Sequence, residues 1–202
     1  LKILGISDSH NSSACLLEDG KVISVCEEER FTRVKAENGF PVNAVKTLVK
    51  EYNLINEGID YVAVSPVSFD YISLKSKRYQ RFGVKEFLFE QEIFWKPTLL
   101  SNASLNYLEV MKEHVEEVKD FYPLHNKNST LDQKEATIMR VKSISEFLNI
   151  NPDKIIFVDH HTCHAFHSYF SSPLREDCLI LTADSSGDGI NATVNTIKNG
   201  NY

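Results

Sequence analysis

A mixed α/β fold follows from three observations in this 202-residue sequence. Short apolar runs at Lys2 to Ser7, Ser13 to Glu18 and Lys21 to Glu28 read as strands, with Asp19-Gly20, a strong hairpin dipeptide, between the last two. Apolar residues recur at helical spacing in Val45, Leu48, Val49 and Tyr52, and again in Ile138, Val141, Ile144 and Leu148. Further strand-like runs at Tyr61 to Ser65, Lys154 to Val158 and Cys178 to Thr182 interleave with these helices.

Taken in order, the first three runs predict a three-stranded meander. Pro41 suits the first position of a helix, where an N–H would lack a partner anyway, so a helix is expected from Pro41 to just before Asn53. With the strand at Tyr61 to Ser65 the order becomes β-β-β-α-β, which resembles the opening of the ribonuclease H-like half-domain that the actin-like ATPase superfamily uses twice. Residues 66–132 break the pattern with a charged stretch rich in aromatics (Phe69, Tyr71, Phe82, Phe87, Phe89, Phe94, Trp95) and an amphipathic helix expected from Ser104 to Phe121. They are expected to be a mostly helical insertion with its aromatics in a core. Asp132 and Glu135 have capping-box spacing for a helix that turns Ile138, Val141, Ile144 and Leu148 inward. A buried strand and a helix from His160 to Phe170 complete this part.

An internal echo organises the chain. Ile3 to Asp8-Ser9 and Leu179 to Asp184-Ser185 are each an apolar strand ending in Asp-Ser, leading on to Asp19-Gly20 and Asn199-Gly200 respectively. This divides the sequence into a first lobe, about 1–175, and the start of a second, about 176–202. Leu1 in place of Met, and a final turn lacking its second strand, carry the expectation of a chain cut from a longer one.

The composition excludes several classes. With 28 acidic and 22 basic residues and a net charge of −6, no basic stretch is present to follow a phosphate backbone, so nucleic acid is not expected as a partner. No apolar run approaches the roughly 18 residues of a membrane span, and a cytoplasmic location is expected. Cys15, Cys26, Cys163 and Cys178 form no C-x-x-C pair and are expected as reduced, structural thiols.

Four segments could carry chemistry. In Asp159-His160-His161-Thr162-Cys163-His164, His160 and His164 stand four residues apart, on one helix face and within reach of one cation; His167 follows nearby. Asp184, at the end of the next strand, is the natural carboxylate for a mixed shell suited to Fe²⁺, Zn²⁺ or Mn²⁺. Asp8, Ser9 and His10 follow the first strand, where Asp8 could hold a metal or its water and His10 could donate to an oxyanion or move a proton. Ser185-Ser186-Gly187-Asp188-Gly189 could offer amides to an anion. Glu27 to Lys35 is a mixed-charge run that would ordinarily be a solvated surface, yet it could bring Arg30, Arg33 and Lys35 to a cleft rim.

These segments together resemble the carbamoyltransferase family that includes nodulation-factor and antibiotic O-carbamoyltransferases. The family's opening pattern is matched by Asp8-Ser9-His10-Asn11-Ser12-Ser13-Ala14, by Asp19-Gly20 and by Glu27 to Lys35; its later His-His-x-x-His-Ala is matched by His160 to Ala165, followed by Asp184. The resemblance implies transfer of a carbamoyl group from carbamoyl-adenylate, made from carbamoyl phosphate and ATP by a carboxyl-terminal domain, to an acceptor hydroxyl such as that of a sugar or natural product. It implies His160, His164 and Asp184 as ligands of a cation, Fe²⁺ favoured. Asp8, His10 and Lys35 would hold and polarise the intermediate, with Asn11, Arg33, Ser185, Ser186 and Gly187 binding substrate or nucleotide. Asn11 departs from the commoner Asp, and the remaining metal ligand and the adenylate-forming domain are expected beyond Tyr202, which would leave the segment alone inactive. A homodimer is compatible with this reading. The alternatives are a tRNA threonylcarbamoyl transferase, a sugar or acetate kinase of the same superfold, and a metal-binding scaffold without turnover. The acceptor is not specified by fold or donor.

Overall fold

The computed structural model describes residues 1–68, 83–105, 110, 122, 133–173 and 177–199. The meander comprises β1 (Lys2–Ser7), β2 (Ser13–Glu18) and β3 (Lys21–Glu27), paired antiparallel. Asp19 and Gly20 join β2 to β3 at φ 49° and 75°, the left-handed pair that a type I′ turn requires. β1 also pairs in parallel with β4 (Tyr61–Ser65), and β4 in parallel with β5 (Ile155–Phe157), giving the order β3-β2-β1-β4-β5. Parallel pairing puts the carboxyl ends of β1, β4 and β5 along one edge of the sheet. The segments that follow them, Asp8–Asn11, Pro66–Ser68 and Asp159–His164, therefore gather there.

Helices cover the sheet. α1 (Glu29–Thr32) is a single turn, α2 (Val42–Glu51) packs on β2 and β3, and α3 (Leu54–Glu57) follows α2 directly. α4 (Val84–Glu90) runs through a π-helical turn, Gln91–Trp95, into α5 (Lys96–Leu100). α6 (Gln133–Leu148) and α7 (His160–Ser171) flank β5 in sequence. A separate hairpin consists of β6 (Cys178–Gly187) and β7 (Ile190–Ile197).

Alternation along the strands buries Leu4, Ile6, Ala14, Leu16, Val62 and Val64 on one face. Ala44, Val45 and Leu48 of α2 and Ala136, Met139, Ile144 and Leu148 of α6 join the same cluster. Burying each of the larger aliphatic side chains contributes about 1.5–3 kcal/mol. A second, smaller cluster sets Ala165 and Tyr169 of α7 on Ile180 and Ile197 of the hairpin. The hairpin's other face carries Leu179, Leu181 and Val194, all exposed.

Several expectations are corrected. Helix α2 begins at Val42 with Pro41 as its N-cap. Ile138, expected inward, is 60% exposed, because the buried stripe of α6 runs through Ala136, Arg140, Ile144 and Leu148 at steps of four. An arginine sits in that stripe because it meets the buried carboxylate of Asp8. Phe87, Phe89 and Trp95 are exposed rather than core. β6 continues five residues past the expected Thr182, so Asp184, Ser185, Ser186 and Gly187 lie in a strand and not in a loop after one. The expected helix from Ser104 to Phe121 and its neighbour Asp132 fall outside the described residues, apart from the start of the helix and its residue 110. The four cysteines are free thiols. Among the described residues no helix is long and apolar enough to cross a membrane.

Candidate metal centre

The α7 histidines are placed by the cap before them. Asp159, extended at φ −65° and ψ 153°, accepts from the Thr162 amide at 2.8 Å and starts the helix at His160. His160 and His164 then stand one turn apart, with ring centroids 4.5 Å from each other. Asp184 comes from the hairpin. The β6–β7 ladder pairs Ala183 with Ala192 and then Gly187 with Ile190, so Asp184, Ser185 and Ser186 bulge against a single partner residue. A bulge re-aims a side chain, and here it turns the Asp184 carboxylate towards α7.

Three donor atoms converge. His160 Nε2 lies 2.7 Å from Asp184 Oδ2, His164 Nε2 lies 3.3 Å from the same oxygen, and the two ring nitrogens are 2.9 Å apart. The three atoms lie close enough together to share one cation about 2.1 Å from each. The donor set, two imidazoles and a carboxylate, suits Fe²⁺, Zn²⁺ or Mn²⁺. Among the described residues these three form a group able to hold a metal ion, and His167 lies outside it. Side-chain exposures of 18% for His160, 50% for His164 and 33% for Asp184 leave one side of the cluster open to a further ligand. The His160 hydrogen bond, then the Ser185 amide and His164, hold the Asp184 carboxyl well below the usual carboxylate range, so it is ready as an anionic donor.

His161 has a different task. Its Nε2 donates to the Ile190 carbonyl at 3.0 Å, which leaves Nδ1 to accept from the Thr182 hydroxyl at 2.7 Å. This buried ring fastens α7 to both strands of the hairpin.

Asp8, expected at the cleft, is instead fully enclosed, at 0% exposure. Arg140 Nη2 and Nε donate to its two oxygens at 2.7 and 2.9 Å, and the Tyr122 hydroxyl donates at 2.6 Å. Burial pushes the Asp8 carboxyl up and the Tyr122 hydroxyl well up, while the Arg140 guanidinium draws Asp8 back down. Arg140 also donates to the carbonyls of Pro66 and Val67 at 2.8 and 3.0 Å. The pair therefore locks the ends of β1 and β4 together.

The remaining expected residues are spread along the same edge or away from it. His10 is exposed, bridged by backbone to Asn38, with Nδ1 3.5 Å from the Ser9 hydroxyl. Asn11 is exposed at φ 54°. Arg33 ends α1 in the left-handed conformation, exposed. Lys35, 87% exposed, pairs with Glu29 at 2.8 Å. The Glu27–Lys35 run is largely spent on its own structure: Arg30 pairs with Glu27 at 3.0 Å, and buried Glu28 accepts from the amides of Asn43 and Ala44 at 3.0 and 2.9 Å, capping α2. Ser185 gives its amide to Asp184 Oδ1 at 2.6 Å, so it is not available to an anion. Sequence reasoning missed Arg140, Tyr122, Glu28 and the structural role of His161; the Asp-Gly dipeptide at 188–189, identical to that at 19–20, was a signal for the second hairpin turn.

Fold and site together define a mixed α/β domain with a two-histidine, one-carboxylate cluster where a helix start meets a bulged hairpin. The chain belongs to the family described as the carbamoyltransferase N-terminus, whose model matches residues 2–202. It is 28% identical over 180 residues to the nodulation protein NolNO of Sinorhizobium fredii, covering 89% of this chain and 20% of that protein. An uncharacterized protein of Synechocystis is 25% identical over 190 residues, covering 92% of this chain and 26% of the relative. One from Methanocaldococcus jannaschii is 38% identical over 65 residues, 32% of this chain and 12% of the relative. The chain thus spans about a fifth to a quarter of the first two relatives.

Proposed function

We propose that this chain is the amino-terminal part of an O-carbamoyltransferase that passes a carbamoyl group from carbamoyl-adenylate, made from carbamoyl phosphate and ATP, to an acceptor hydroxyl. The observation that carries the reading is the convergence of His160, His164 and Asp184 in a member of this family. The strand order β3-β2-β1-β4-β5, antiparallel for the meander and parallel beyond it, supports a ribonuclease H-like, actin-like ATPase fold. In this reading residues 1–175 are a first lobe with an insertion at about 66–132, residues 176–202 begin a second, and a carboxyl-terminal domain makes the adenylate. The protein is read as cytoplasmic, acting on small molecules.

His160, His164 and Asp184 would hold a divalent cation, Fe²⁺ favoured. Bound there, the cation supplies Lewis acidity towards a phosphate or carbamoyl oxygen. The chain's own side chains do the rest. His10, exposed at the same sheet edge, accepts the acceptor hydroxyl's proton or donates to the developing oxyanion. Lys35 and Arg33, on an exposed loop, contribute positive charge towards a phosphate, Lys35 by leaving Glu29. Asn11, Ser186 and Gly187 offer polar and backbone groups to substrate. Asp8 acts at one remove, by fixing the β1 end from which His10 extends.

Metal content of the full-length protein purified without oxygen tests the site. Near-stoichiometric iron or zinc is expected, lost in an H160A/H164A double variant; no metal in either protein would sink the reading. Transfer from carbamoyl-adenylate is then expected to fall by about 10²–10⁴ in H10A, and unchanged transfer would remove His10 from the chemistry.

A further inference from the structure

Asp188 belongs to the turn between β6 and β7, where it and Gly189 adopt φ 54° and 76°. An aspartate in a surface turn is ordinarily exposed. This one faces inward and its two oxygens take four donors. Oδ1 accepts from the Ser68 amide at 2.6 Å and the Ser68 hydroxyl at 2.5 Å; Oδ2 accepts from the Val67 amide at 3.2 Å and the His160 amide at 2.7 Å. The His160 amide is the first of α7, one of the N–H groups a helix leaves without an internal partner. One carboxylate thus joins three elements: the hairpin, the segment after β4 and the start of the histidine helix.

The neighbouring residue adds a second constraint. A Cβ on Gly187 would lie 2.1 Å from His160 Cδ2 and 2.7 Å from His160 Cβ, so the imidazole rests against bare backbone. Those atoms sit close to the helix and cannot swing away as the tip of a long side chain could. Residues 66–68 are gripped from both sides: Arg140 holds the carbonyls of Pro66 and Val67, and Asp188 holds the amides of Val67 and Ser68.

We propose that Asp188 is the positioning residue for His160, fixing its backbone so that its ring nitrogen meets the ring nitrogen of His164 and the carboxylate of Asp184. The proposal rests on the reading of His160, His164 and Asp184 as cation ligands. Asp188 touches neither the cation position nor, in this assignment, the substrate. Its influence passes through the His160 amide. Residues that orient ligands in this way typically change metal affinity by about 10- to 100-fold when removed.

The test is a thermodynamic cycle on the full-length protein, with Co²⁺ as the probe and its visible absorption as the readout. Co²⁺ affinity is measured for the wild type, D188A, H160A and the D188A/H160A double variant. D188A is expected to weaken binding by about tenfold or more in the wild-type background and by less than about twofold when His160 is already gone, the non-additivity of two residues acting through one contact. His160 amide exchange in the cation-free protein is expected to accelerate in D188A. An equal loss in both backgrounds, or no loss in either, overturns the proposal. Should D188A not fold, D188N, which keeps the shape and one acceptor oxygen, carries the same cycle with the same criteria. A wild type that binds no Co²⁺ defeats the cation-site reading itself, whereas a wild type that binds it and a D188A that binds it equally well defeat only the role of Asp188.

Discussion

Asp8 and Asp184 hold corresponding places in two similar stretches of sequence, each closing an apolar strand with Asp-Ser, yet they meet opposite surroundings. Asp8 receives Arg140 and Tyr122 from elements packed over it and disappears from solvent. Asp184 is lifted out of its ladder by a bulge and receives two imidazoles from α7, with a third of its side chain still exposed. The sequence supplies an acidic group after an apolar run in both places; the neighbouring helix decides whether that group is sealed by a guanidinium or set beside two imidazoles. Guanidinium and phenol saturate a carboxylate with protons. An imidazole nitrogen that carries no proton offers a lone pair that a cation can use.

That contrast can be broken from either side. Replacing Arg140 by Met leaves Asp8 buried with a charge and only Tyr122 to meet it, and should lower unfolding free energy by about 3–5 kcal/mol; denaturant melts would show it. A loss under about 1 kcal/mol would mean that Asp8 is hydrated and nearer the cleft than its burial indicates. D184A should do the reverse, leaving the cation-free melting temperature essentially unchanged while cation affinity falls by more than the roughly 10- to 100-fold typical of an outer partner. If D184A instead unfolds the protein without touching affinity, the two aspartates are alike. A smaller effect sharpens the comparison with a third carboxylate: E28A removes the cap of α2 and should cost about 1–2 kcal/mol, with cation affinity unchanged by calorimetric titration.

Much of the fold was legible because strand alternation and the Asp19-Gly20 turn are local signals, and β1, β2 and β4 lie where those signals put them. The His160 and His164 pair was legible for the same reason, since a separation of four residues on a helix fixes a face. What escaped depends on partners distant in sequence. Arg140 reads as a solvated residue until Asp8, 132 positions away, arrives beside it, and that pairing turned the helix so that Ile138 faces out. Polar residues Asp184 to Ser186 do not read as strand, because a bulge has no hydrophobic period of its own. Asp188 has a purely local interpretation as a turn residue, and its four donors come from segments 28 and about 120 residues earlier.

The outer face of the β6–β7 hairpin has a practical consequence for anyone handling this polypeptide by itself. Leu179, Leu181 and Val194 present a greasy strip to water, with Leu181 and Val194 directly opposite each other on the two strands. An exposed apolar strip marks an association surface or an aggregation liability. Exchanging Leu181 and Val194 for threonine would preserve strand preference and improve sample behaviour, well away from the histidines on the hairpin's opposite side.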